Sequence, residues 1–264
     1  MLFMNPLHLT GFVVQMAVLC ACLWAESFFP LFMDQGGRLK AVHVARNFTI
    51  GGLNALILVL GFSGLVASSA DWAQLHQIGL LRCMGLPHEI QPIAGFVLFD
   101  LWMYSWHRAN HRLPILWRFH RVHHSDLSLD SSSSVRFHIG EMVLSALLRL
   151  AVIPLLGISL KNLVLYELIL QPVIIFHHSN IALPEGIDRI LRIFIVSPNM
   201  HRVHHSDVAD ETNSNYASIL SAWDRVWGTY RKRETKTIRY GLADFRETRW
   251  QTIFGMLLNP AVVK

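Results

Sequence analysis

Charged side chains are scarce in this 264-residue chain: Asp, Glu, Lys and Arg make up 16% of it, against 52% hydrophobic residues. Soluble domains carry about 25% charged residues, so the composition excludes an ordinary soluble fold and belongs in a bilayer. Cysteine is scarcer still. Cys20 and Cys22 share one apolar run and Cys83 stands alone, which excludes a disulfide framework or zinc ribbon and leaves all three as buried hydrophobes. No nucleic-acid-binding motif is present, so the net charge of +5 is read as basic residues at lipid headgroups on the cytoplasmic side. The stretch MLFMNPLHLT has no basic residue and the apolar run after it is long, so a removable signal peptide is not expected.

Long apolar runs are what the chain does have. Leu7–Phe32 exceeds the roughly 20 helical residues that span a bilayer, and its one charge, Glu26, reads equally as a functional group or as a carboxylate at the helix end. A second run extends from about Phe48 to Val66, and a third covers Ile90–Trp106. Ile139–Ile158 and Leu160–Ile181 form a hairpin around the Gly157–Lys161 turn. Between them, Ser68–His88 reads as an interfacial or short external connection. Arg38, Lys40 and Arg46 place the first connection in the cytoplasm. Counting spans from there brings every histidine cluster to that same face.

The heptapeptide HRVHHSD occurs twice, at His120–Asp126 and His201–Asp207. On a helix its histidines stand at i, i+3 and i+4, so His120, His123 and His124 share one face, as do His201, His204 and His205. HRANH adds His107 and His111 at i, i+4. Eight of the 15 histidines fall in these three pieces. A zinc site takes about three or four ligands, so eight imidazoles are too many for one ion, and two metals are the natural count. Imidazole suits iron, zinc, copper or nickel. His138 in VRFHIGE and the pair His177–His178 in FHHSN, at expected membrane boundaries, could add to the shell, whereas His8, His43, His76 and His88 read as exposed or interfacial. Carboxylates able to orient such ligands are Asp100, Asp126, Asp130, Asp207 and Asp224. Asp126 and Asp207 read as solvated, while Asp100, deep in an apolar run, is expected to face the site.

From Asp100 to Tyr230, through DLWMYSWHRANH, LWRFHRVHHSD, SVRFHIGE, FHHSN and SPNMHRVHHSDVADETNSNYASILSAWDRVWGTY, the chain resembles the fatty acid hydroxylase and sterol desaturase superfamily of membrane-bound di-iron enzymes. It departs at Ile139, Ala217 and Trp227, where proline, glycine and phenylalanine are usual, and none of these removes a ligand. The resemblance implies metal ligands at His107, His111, His120, His123, His124, His201, His204 and His205. His178 is its first choice from the FHHSN box, with His177 and His138 as further candidates and Asp100 and Asp224 as supporting acids. It implies an all-α integral membrane bundle of about four to five spans, with a cytoplasmic histidine-rich helical cap holding a dimetal site. N-terminal transmembrane helices would fill 1–90, the catalytic domain 91–240 and a tail 241–264. It further implies two iron ions, O2 as co-substrate and hydroxylation or desaturation of a lipid (acyl chain, sterol, carotenoid or other isoprenoid), with the ligands themselves as the catalytic residues.

No haem-binding domain, flavin motif or dinucleotide fingerprint is present, so electrons are expected from a separate ferredoxin- or cytochrome-like protein. The basic residues from Arg225 to Arg239 could receive it or could face the membrane. A membrane metal carrier or sensor is the competing reading, and it would be favoured by ionisable or thioether residues at regular positions through the spans. A scaffold with a stabilising zinc would not need eight ligands.

Overall fold

Apolar runs without internal breakers become helices, because in hydrocarbon a helix satisfies its own backbone donors and acceptors. The computed structural model of the chain describes residues 6–33 and 36–262; the expectations for Met1–Asn5, the side chain of His8, and Asp34–Gln35 lie outside the described residues. Helix α1 (Pro6–Phe28) leads to α2 (Gly37–Gly61), and α3 (Ser63–Leu75) continues after Phe62. The single turn α4 (Leu80–Cys83) precedes α5 (Gln91–Arg112) and α6 (Pro114–His124). The hairpin is α7 (Ile139–Leu156) and α8 (Leu160–His178), followed by α9 (Glu185–Phe194) and α10 (Pro198–His204). Among the described residues the β-structure consists of isolated bridges such as Ile195–Leu220.

Four helices, α1, α2, α7 and α8, are long and apolar enough to cross a membrane. They leave Phe12, Trp24, Leu56, Leu60, Leu147 and Leu155 exposed, a coat that suits lipid and would be an aggregation hazard in water. Three expectations are corrected. The basic residues Arg38, Lys40 and Arg46 sit inside α2, which starts at Gly37 and ends at Gly61, short of Val66. The Ser68–His88 connection opens on the second half of α3, which packs on α7 and buries Ala70 and Ala73, and later forms the single turn α4. The third run does not stop at Trp106: α5 carries on through HRANH, from Gly95 beside Ile158 to His107 and His111 at its other end.

Two glycines fix one end of the bundle. Gly79 (φ 118°) meets Gly157 (φ 76°) so closely that a Cβ on Gly79 would stand 2.3 Å from the Gly157 backbone. Helix α5 starts near this end, with Gly95 facing Leu81, Asn162 and Ile158. Phe99, Ile153, Leu163, Tyr166 and Leu170 fill the core between α5, α7 and α8. The end of α5, the start of α7 and the end of α8 therefore lie together at the opposite end of the bundle, and all the clustered histidines gather there.

Candidate metal centre

Proline opens both helices that carry the repeat. Leu113, before Pro114, is extended (φ −96°, ψ 116°), as a residue preceding proline prefers, and this ends α5 and starts α6. Ser197 caps α10 by accepting the Met200 N–H, with Pro198 in the first turn. The histidines then project from the last turns of these short helices, yet they do not stay grouped by copy. His120 and His124 of the first copy join His204 of the second, with His107 and His111 of α5. His201 and His205 of the second copy join His123 of the first, with His178 of α8. In each group one nitrogen per residue lies within 4.8 Å of all the others. Each copy thus gives its i, i+4 pair to one group and its i+3 residue to the other, and neither group exists without both copies. The rings of His124 and His205 stack across the junction, with centroids 4.5 Å apart.

The main chain sets several tautomers. Nδ1 of His107 lies 2.8 Å from the Tyr216 carbonyl, that of His204 2.6 Å from Ser214, that of His123 3.2 Å from Arg136 and that of His178 2.8 Å from Ile174. A carbonyl only accepts, so each Nδ1 donates and each Nε2 of the neutral ring is a bare lone pair. Among the described residues, the buried Nε2 atoms of His107, His120 and His204, and both nitrogens of His111 and His124, have no hydrogen-bond partner. In the other group the Nε2 atoms of His123 and His178 face each other at 3.1 Å, lone pair to lone pair. Burial first, and neighbouring imidazoles second, hold His123, His124, His201, His204 and His205 well below the ordinary histidine pKa, so they are neutral. Unpartnered acceptors cost about 1–3 kcal/mol each when buried. Two clusters of inward-facing lone pairs fit a cation in each, and the all-nitrogen donor set suits iron, zinc, copper or nickel.

The acids divide differently from expectation. Glu141, in the first turn of α7, places Oε1 2.8 Å from Nδ1 of His120; sequence reasoning missed it, although an acid at the mouth of an apolar run three residues after His138 was a usable signal. Asp224 acts one step away, accepting the N–H groups of Tyr216 (2.8 Å) and Ala217 (3.0 Å) and so holding the carbonyl that receives His107. Asp100 is a correction: it accepts from Tyr166 Oη (2.8 Å), Leu220 N (3.0 Å) and Trp223 Nε1 (2.8 Å), and its hydrogen bonds reach no histidine. It fastens α5 to α8 and to the 220–223 segment instead.

Asp126 is the second correction, since it is buried rather than solvated. His43 Nε2 lies 2.8 Å from its Oδ1 and Ser133 donates to Oδ2 at 2.7 Å. Burial raises the Asp126 carboxyl, but the His43 and Arg136 charges outweigh it and hold the group below the usual carboxylate range. His43 also approaches Asp130 at 3.2 Å, so it is no isolated surface histidine. Asp207, the matching residue of the second copy, is exposed. Glu26 is a buried helix-end anchor that accepts from Ser131 N (2.9 Å) and Asn180 N (2.9 Å). His138 stands outside both groups and caps α7, accepting the Gly140 N–H at 2.9 Å. His177 is also outside them, with its ring 4.0 Å from that of His201. A cavity of about 410 Å³ opens below the centre, walled by His107, His120, His123, His178 and His201 on one side and by Leu58, Met103 and Leu170 on the other.

The fatty acid hydroxylase family profile matches residues 92–229. Ornithine lipid hydroxylase OlsE of Rhizobium tropici is 31% identical over 144 residues, covering 54% of this chain and 43% of that protein. Alkylglycerol monooxygenase of Danio rerio is 32% identical over 153 residues (56% of this chain, 32% of that protein). Human cholesterol 25-hydroxylase is 26% identical over 156 residues (55% and 56%). The chain thus spans less than two thirds of each of these relatives. No solved structure matches it significantly.

Proposed function

The chain belongs to the fatty acid hydroxylase family, and from that premise we propose that it hydroxylates a C–H bond of a lipid held in the cavity beneath the histidines. The observation that carries this reading is the reciprocal split of the two heptapeptides into a five-histidine and a four-histidine group. His107, His111, His120, His124 and His204 would hold one iron, and His123, His178, His201 and His205 a second. When bound, the pair would supply activation of O2 and oxidation of an unactivated C–H bond, with electrons from a separate ferredoxin- or cytochrome-like protein.

The protein's own share is placement. Glu141 and the carbonyls of Tyr216, Ser214, Arg136 and Ile174 fix the imidazoles in their tautomers, so the ligands need not reorganise when they bind. The apolar side of the cavity, between α2, α5 and α8, would admit an acyl or isoprenoid chain from the bilayer. The three relatives named above are hydroxylases or monooxygenases of lipids, which favours hydroxylation over desaturation. Arg38, Lys40, Arg46, Arg108 and Arg112 flank the histidine end, which supports placing it on the cytoplasmic side.

The test is lipid profiling of cells with and without the protein, together with elemental analysis of the purified protein. A lipid that gains the mass of one oxygen only in expressing cells is the expected result. Metal-loaded protein with no oxygenated lipid would overturn the reading in favour of a metal carrier or sensor.

A further inference from the structure

The cavity below the histidines meets a second one of about 480 Å³ along a shared wall of Gln15, Leu58, Met142, Ser145, Arg149 and Gln171. The polar members of that wall come from α1, α7 and α8, three of the helices able to cross a membrane. Arg149 Nη1 pairs with Glu167 Oε1 at 2.5 Å, and Gln171 Nε2 donates to Glu167 Oε2 at 3.1 Å. The guanidinium remains under-used: Nη2 meets the Met103 thioether at 3.5 Å, a weak acceptor, its carbon lies 5.6 Å from the centre of the Phe99 ring, and among the described residues the buried Nε has no hydrogen-bond partner. Charged groups inside apolar helices are costly, and they mark substrate or ion paths. An ion pair needed only to staple α7 to α8 would require neither an unpartnered Nε nor the flanking amides and hydroxyl of Gln15, Gln171 and Ser145.

The position is informative. Gln171 and Glu167 precede His178 on α8 by seven and eleven residues, roughly 10 and 16 Å at 1.5 Å per residue. Arg149 follows Glu141, which contacts His120, by eight residues on α7, roughly 12 Å. Because Glu167 balances Arg149, the belt offers hydrogen-bond donors without net charge, and a carboxylate ligand would meet Glu167 as well as Arg149.

We propose that Arg149, Glu167 and Gln171 form a subsite for a neutral hydrogen-bond-accepting group of the lipid, a hydroxyl, ester or amide. It would seat that group roughly 10–16 Å from the carbon brought to the histidines, with the remainder of the molecule in the second cavity. The inference rests on the oxygenase reading and narrows its substrate class to lipids with a neutral polar group at a set distance from the oxidised carbon, as opposed to plain hydrocarbon.

The test is equilibrium binding of radiolabelled 1-dodecanol and dodecane to the full chain in lipid nanodiscs, for the wild type, the charge-free double variant Arg149→Met/Glu167→Gln, and Gln171→Leu. The double variant avoids stranding Glu167 alone, and bound metal reports whether the histidine end has folded. The wild type is expected to prefer the alcohol about tenfold, the worth of one good hydrogen bond, and both variants to lose most of that preference at unchanged metal content. Equal binding of the two probes by the wild type, or a preference that survives in both variants, overturns the subsite. Neither turnover nor O2 enters the binding measurement, and metal serves only as the folding control, so an inactive protein that keeps the preference sinks the oxygenase reading alone. An active one without it sinks the subsite alone.

Discussion

Glu141 Oε1 lies 2.8 Å from Nδ1 of His120, joining the first turn of a membrane helix to the first copy of the repeat. Among the described residues its second oxygen, Oε2, is buried without a hydrogen-bond partner, which leaves His120 as the hydrogen-bonded contact of this carboxylate. Acids placed behind a ligand histidine fix its tautomer and raise its basicity, and removing one typically costs 10–100-fold in metal affinity. Glu141→Ala is therefore expected to lower metal affinity by about that factor, measured by competition with a calibrated chelator. Unchanged affinity would show that the contact is structural only.

The reciprocal split makes a distinct prediction for the two i+3 histidines. His123 sits with His201 and His205, and His204 sits with His107, His111, His120 and His124. Alanine at either position removes a ligand from one group and leaves the other group whole. Each variant is expected to purify with less metal than the wild type and without lipid hydroxylation, whereas His138→Ala, outside both groups, keeps its full metal content. Two metals retained in both His123→Ala and His204→Ala would contradict the assignment.

Helices and histidine clusters were legible because both are local patterns: hydropathy marks runs such as 139–156 and 160–178, and i, i+3, i+4 spacing puts imidazoles on one face. The exchange of His123 and His204 between groups was not, since it depends on how α6 and α10 approach each other. The carboxylates were misjudged for the same reason. Asp100 is costly in an apolar helix, but cost demands only some partner, and Tyr166, Leu220 and Trp223 satisfy it. Arg149 and Glu167 escaped notice because each is a single charge in an apolar run, and their pairing appears only once α7 and α8 are side by side.

Identical heptapeptides should respond differently at their last residue. Asp126 is buried against His43 and Arg136, while Asp207 is exposed. Breaking a buried charge pair from one side costs about 3–5 kcal/mol, so Asp126→Ala is expected to lower thermal stability strongly. Asp207→Ala should stay within about 0.5 kcal/mol of wild type. Thermal unfolding of the two variants under one condition decides it, and equal effects would refute the asymmetry.

The far end of the bundle carries the last prediction. Gly79 adopts φ 118° and ψ 160°, a region essentially closed to other residues, and a Cβ there would meet Gly157 at 2.3 Å and the Pro154 carbonyl at 2.8 Å. Neither neighbour is a flexible side-chain tip, so Gly79→Ala must push the segment before α4 away from the α7–α8 turn. That shift would also strain the hydrogen bond from Gln74 Nε2 to the Gly157 carbonyl (2.9 Å) and the Arg82 contact that supports Gln74. Gly85 offers the control: its φ is 60°, yet nothing lies within 4 Å of its added Cβ, so Gly85→Ala costs only the left-handed backbone, about 1 kcal/mol. Gly79→Ala combines a backbone penalty of about 1–3 kcal/mol with the steric clash, and it should destabilise the protein clearly more than Gly85→Ala. Because the histidines lie at the opposite end, the fraction that folds is expected to bind metal with wild-type affinity. Equal melting temperatures for the two variants would show that the glycine contact does not hold the hairpin in place.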